Sequence, residues 1–183
     1  MGTGSVYIYG REVTGMGKTH EECAAAVESM VLRYGQDVYR LCRVYLQDAS
    51  LAQDAAQETF LKAFRHYDSF RHEASEKTWL LTICVRTCKN MLRSPWHRWV
   101  DRTKTPEDMQ IAWEETESNR VLRAVLMLPE GLRMAVVLHY YYGFKAREIG
   151  DMLHLPLGTV LSRLKRGREK LSQMLSEGGD EDG

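Results

Sequence analysis

The residues with the most legible chemistry lie toward the end of this 183-residue chain, where Thr159, Ser162, Arg163, Arg166 and Lys170 recur at three- and four-residue steps. On a helix that spacing gathers them on one face, opposite Val160, Leu164 and Leu171. Such a row suits DNA. Arg bonds guanine bidentately, Ser and Thr reach a base edge or a phosphate, and a helix start at Gly158-Thr159 favours a phosphate oxygen. A shorter helical pattern over residues 145–153 comes just before, and the four- or five-residue turn between them has the length a helix-turn-helix requires. In that turn His154 stands where such motifs often use Gly for positive φ, and Gly150 trades up to ~1 kcal/mol of helix propensity for close packing. Residues 132–175 hold eight basic side chains against three acidic ones.

A second candidate lies further upstream. Lys77, Trp79, Arg86, Lys89, Asn90 and Arg93 share one helical stretch, which runs on into Trp96-His97-Arg98-Trp99. Basic residues interleaved with aromatics suit unpaired DNA, because cations follow the backbone while bases stack on rings. Trp79, beside Leu80 and Ile83, also reads as core. One helix earlier Asp54, Gln57, Glu58 and Lys62 share a polar face, which alone signifies only the wet side of an amphipathic helix.

Other chemistry is excluded. His20, His66, His72, His97, His139 and His154 are scattered over separate segments, with neither an HExxH nor a serine elbow. Gly15-Met-Gly-Lys-Thr19 imitates the end of a phosphate-binding loop, but that pattern needs Gly at position 12, where Glu12 stands. An NTP-hydrolysing enzyme is therefore set aside as a chance match. The four cysteines, Cys23, Cys42, Cys84 and Cys88, include no CxxC and fall in helical patterns, so they read as buried thiols with no metal and no cofactor. Cys84 and Cys88 are one turn apart on one face, and core packing is the reading for them too.

The chain balances 25 Lys and Arg against 25 Asp and Glu, which as an average argues against nucleic acid. The average hides opposed segments: residues 86–104 carry six basic residues against one acidic. Apolar residues come in short periodic runs, far from the ~20 in succession needed to span a bilayer, and no signal-peptide core follows the start. A cytoplasmic protein without membrane insertion is expected.

The elements that must position these residues are helical throughout, with no proline before Pro95. Residues 1–19, Gly-rich with a brief alternation at Val6-Tyr7-Ile8-Tyr9, read as a mobile extension. A long helix from His20 carries Val27, Val31, Tyr34, Val38, Leu41, Cys42 and Tyr45. Asp48-Ala49-Ser50 offers a turn and N-cap for a second, from Leu51 to about His66, with Ala52, Ala55, Ala56, Phe60, Ala63 and Phe64 inward. A third runs from about Lys77 to Arg93. Residues 95–118, with Pro95 and Pro106 and a switch from basic to acidic, form a linker. Four helices follow, over 119–127, 130–140, 145–153 and 159–175, then an acidic, disordered tail over 176–183. The fold class is all-α, with a three-helix domain over 20–94 and a four-helix domain with a helix-turn-helix over 119–175, joined by a flexible linker.

Taken together, Asp54-x-x-Gln57-Glu58-x-Phe60, Asp68-Ser-Phe70-Arg71, Thr78-Trp79-Leu80 and Lys89-Asn90 have an order that resembles a bacterial RNA polymerase sigma factor of the extracytoplasmic-function group, in the sigma-70 family. Leu128-Pro129-x-x-x-Arg133, Glu148-Ile149 and Gly158-Thr159-Val160-x-Ser162-Arg163 extend the match to about residues 22–175. The resemblance implies a non-enzymatic initiation factor, in which a sigma-2-like domain binds core polymerase and recognises and melts the minus-10 element while a sigma-4-like domain reads the minus-35 element. It further implies that Asp54, Gln57, Glu58, Phe60 and Lys62 meet the clamp helices of the largest polymerase subunit, with the flap region as a further contact. Ser69, Phe70, Arg71, Lys77, Trp79, Arg86, Lys89 and Asn90 would engage the minus-10 strand, and Gly158, Thr159, Ser162, Arg163 and Arg166 the minus-35 duplex. An anti-sigma factor is the implied regulator. The competing reading is a helix-turn-helix regulator that recruits no polymerase, which leaves residues 54–93 without a task.

Overall fold

In a computed structural model, residues 18–93 and 117–177 are described, with the backbone at 7–8 and 11–12. The early alternation forms one side of a two-residue antiparallel pair, Tyr7 opposite Glu12 and Ile8 opposite Arg11. Everything else described is helix or connecting turn, so the all-α expectation holds. The linker up to residue 116, with Trp96 and Trp99, and the tail beyond 177 lie outside the described residues.

Helix α1, His20–Leu46, starts where Thr19 caps it: the Thr19 hydroxyl accepts from Glu22 N at 3.2 Å, and the Glu22 carboxylate accepts from Thr19 N at 2.8 Å. Gln47 ends it in the left-handed region at φ 55°. Helix α2, Ala49–His66, begins two residues earlier than the sequence suggested, because Asp48 alone is the cap, accepting from Leu51 N at 3.0 Å. Helix α3, Glu76–Arg93, opens with the Ser75 hydroxyl accepting from Thr78 N at 3.1 Å. Met30, Val38, Leu41, Ala52, Ala55, Leu80, Leu81 and Val85 close the core of this first bundle. Thr59 is also buried, a residue the apolar stripe omitted; its hydroxyl donates to the Ala55 carbonyl at 2.7 Å, so no polar group is stranded.

The second bundle comprises α4, Glu117–Met127; α5, Glu130–Val136; α6, Ala146–Leu153; and α7, Leu157–Glu177. A π turn over Val137–Tyr141 continues α5, and Gly143 beyond it has a φ of 76°, in the left-handed region that favours glycine. The turn between α6 and α7 is three residues, tighter than expected, since Pro156 accepts from both Thr159 N and Val160 N and starts α7 at Leu157. His154 takes the left-handed turn position at φ 55°. Gly150 is required there: a Cβ would come within 2.9 Å of the Leu155 carbonyl oxygen.

The two bundles share one apolar cluster. Polar contacts seal its edges: the Tyr142 hydroxyl donates to the Asp37 carbonyl at 2.8 Å, Gln47 Nε2 to the Leu126 carbonyl at 2.7 Å, and Lys89 Nζ to the Leu153 carbonyl at 2.9 Å. Burial at this seam, with Asp37 as a secondary cause, raises the pKa of the Tyr142 hydroxyl and keeps it a donor.

Candidate functional site

Helix α2 presents Asp54 and Gln57 to solvent, and the partly exposed Glu58 is held by Lys62 one turn on at 3.4 Å. Lys62 also donates to the Thr87 hydroxyl at 3.3 Å, which ties this face to α3. Phe60 does not belong to the face; it is partly buried and packs against the core. Leu61, which the motif skipped, belongs there instead. It is half exposed and shares the 54, 57, 58, 61 spacing, so an apolar side chain stands amid carboxylates and an amide. That combination of an apolar centre and a polar rim is how protein interfaces are built.

The minus-10 candidates divide into three groups. Arg71, Arg86 and Asn90 are exposed. Phe70 is buried and stacks on the half-buried Trp79 with centroids 4.6 Å apart, while Tyr67 and His72 flank the pair. The Ser69 hydroxyl donates to the His66 carbonyl at 2.8 Å. The loop 70–75 thus stands on an aromatic base, with His72 at φ 57° turning it. Two lysines are engaged inside the fold: Lys77 pairs with Asp37 at 2.7 Å and lies over Tyr142, and Lys89 holds Leu153. Lys18, the lysine of the Gly-Lys-Thr run, sits over Tyr67 at 4.0 Å and its backbone N–H donates to Asp68, while Thr19 caps α1. Thr19 thus serves as the cap of α1, while residues 15–17 of that run lie outside the described residues.

On α7, Gly158, Ser162 and Arg166 are exposed and Thr159 is partly so. Two expectations need correction. The Thr159 N–H is committed to Pro156 at 2.9 Å, because the helix begins earlier than the sequence suggested. Arg163 is half-buried, its guanidinium folded back so that a Cβ on Gly131 would meet it at 3.1 Å. Arg133, counted above with the basic residues, is not at the surface at all. It is 6% exposed and donates to the Leu126 and Leu128 carbonyls at 2.8 and 3.1 Å, with burial pushing its pKa down. Sequence reasoning also missed Gly167, where a Cβ would lie 2.5 Å from Val136. It lets α7 cross α5 and so aims the basic face outward. The signal was a lone Gly inside a helical run.

One unit thus offers a carboxylate-rich face and a basic, aromatic-floored loop, and the other a helix-turn-helix with a polar outer helix. This is the arrangement of a two-module promoter-recognition subunit. Residues 30–98 match the family model for sigma-70 region 2, and residues 118–171 that for sigma-70 region 4. The RNA polymerase sigma-H factor of Pseudomonas aeruginosa is 33% identical over 166 residues, covering 82% of this chain and 86% of its own. The ECF RNA polymerase sigma-E factor of Escherichia coli is 34% identical over 164 residues, covering 80% and 84%. The fold is shared with the Bartonella quintana sigma factor RpoE solved with the anti-sigma factor NepR (TM-score 0.66, 22% identity, 82% of this chain and 97% of that one). It is shared also with CnrH, solved with the cytosolic domain of CnrY (TM-score 0.60, 22% identity, 86% and 95%). The chain belongs to the sigma-70 family, in its extracytoplasmic-function group. Membership favours transcription initiation over the plain regulator. Among the described residues no helix is long and apolar enough to cross a membrane.

Proposed function

We propose that this chain is a cytoplasmic, non-catalytic subunit that docks on core RNA polymerase through the Asp54, Gln57, Glu58 and Leu61 face of α2, with the flap region contacting the second bundle. The observation that carries this reading is the pairing, in one chain, of that exposed face with an outward basic helix. A carboxylate-rich rim meeting basic clamp helices would set orientation and on-rate, with Leu61 supplying the apolar centre. The loop 70–75, Arg86, Asn90 and the lysines at 77 and 89 would hold the non-template strand near minus ten, where extracting a base from the stack costs a few kcal/mol. Ser162, Arg166 and the start of α7 would read the minus-35 duplex. Arg163 would take part only after leaving Gly131.

Lys77 is occupied by Asp37 within the first bundle, and Lys89 by Leu153 of the second. Freeing Lys89 for promoter DNA therefore requires the bundles to part, and a protein regulator gripping both would oppose it. The complex of a similar fold with the anti-sigma factor NepR supports that kind of partner. Reconstitution with core polymerase and a pool of random promoter sequences tests the proposal. Run-off transcripts from a shared subset of sequences, together with weak duplex binding by the chain alone, are expected. Tight binding by the chain alone with no transcript would overturn it.

A further inference from the structure

The buried thiols are not scattered. Cys42 from α1 and Cys84 and Cys88 from α3 converge in the first bundle, Cys42 Sγ lying 3.4 Å from Cys84 Sγ and 3.6 Å from Cys88 Sγ, all three inaccessible to solvent. They are unpaired thiols, and Cys23, the fourth, stands apart from them. We propose that this trio is a three-thiolate binding site for a trivalent, sulfur-seeking metalloid of the arsenite class.

The argument rests on donor set, geometry and charge. Thiolates are soft ligands that select soft centres over magnesium or calcium. No other His, Cys, Asp or Glu among the described residues joins the trio within the 4.8 Å that encloses its sulfurs, so no fourth side-chain ligand of these types completes a tetrahedron. Tetrahedral zinc, with its bonds of about 2.3 Å, would hold its sulfurs about 3.8 Å apart, and a planar three-coordinate ion wider still. The two separations from Cys42 are shorter, in line with the narrow angles of a pyramidal three-coordinate centre, and all three sulfurs lie within 4.8 Å of one another.

Charge points the same way. The core around the trio is apolar and closed to solvent, where an uncompensated charge is costly. Three thiolates on a trivalent centre are neutral, whereas zinc would leave one negative charge and a monovalent ion two. As(OH)3 exchanges its three hydroxides for the three sulfurs; the three thiol protons leave with the hydroxides as three waters, and no electron is transferred. The product ties α1 to α3 at Cys88, the residue before Lys89 in the chain.

The test uses the reduced full-length chain and sodium arsenite, followed by gel filtration and native mass spectrometry. Because the sulfurs are buried, one sample is loaded folded and another during refolding from denaturant. One arsenic per chain with three protons lost is expected in at least one sample, retained by Cys23→Ala and abolished in Cys84→Ala, with circular dichroism reporting whether the latter folds. The proton count needs no variant, so the proposal stays falsifiable if Cys84→Ala does not fold. Four results would each overturn it: no arsenic in either sample, arsenic with only two protons lost, retention by Cys84→Ala, or zinc retained in preference to arsenite. A disulfide formed in place of the adduct would overturn it as well.

Discussion

Lys89 Nζ donates to the carbonyl oxygen of Leu153 at 2.9 Å, so a cation suited to a DNA backbone is held instead by the C-terminus of α6. The last carbonyls of a helix carry partial negative charge, and a cation there contributes roughly 0.3–1 kcal/mol. Lys89→Met is expected to speed amide exchange at 151–155 while lowering open-complex yield on polymerase. Unchanged exchange would show that the contact does not hold the bundles together.

The α2 face makes a second prediction. Asp54→Ala and Leu61→Ala are each expected to weaken core-polymerase binding by about 1 kcal/mol or more, roughly fivefold upward, without altering the melting temperature of the free chain. Competition against a labelled parent chain measures it. The apolar variant should act on dissociation and the charged one on association.

Arg133 and Arg166 should behave in opposite ways. Arg166→Ala removes an exposed cation and should reduce the salt slope of minus-35 binding by about one if it meets a phosphate, or relax base preference at one position if it meets a base. Arg133→Met instead strands the Leu128 carbonyl, costing about 1–3 kcal/mol, while the Leu126 carbonyl keeps its bond from Gln47 Nε2. Its salt slope should match the parent's.

Two glycines are steric. A methyl at Gly167 would press to 2.5 Å from Val136, and one at Gly150 to 2.9 Å from the Leu155 carbonyl. Each Ala variant is expected to lose about 1–3 kcal/mol by overpacking, although Ala favours a helix by up to ~1 kcal/mol. Urea melts measure the balance, and a stabilised Gly167→Ala would refute the close crossing of α5 and α7.

Among the described residues the seven α-helices were legible in the sequence because apolar residues recur at helical steps, with Pro129, Gly143 and Pro156 punctuating them. Misplaced starts came from caps. Asp48 and Pro156 begin their helices directly, leaving no residues over for a longer turn. His154 was legible too, since a turn needs one residue at positive φ wherever the chain must reverse between helices.

What the sequence determined by itself was therefore local: helix pattern, the class of each polar face, and a charge balance that is zero only in sum. Formal charge says nothing about where a guanidinium goes, so Arg133 counted toward a DNA face until the fold buried it under two carbonyls. Only the tertiary structure decided which cations stay free, that Leu61 rather than Phe60 completes the α2 face, and that Cys42 meets Cys84 and Cys88 across 42 and 46 residues of chain. The physical reason is that periodicity is a property of one helix, whereas these outcomes depend on how helices distant in sequence cross.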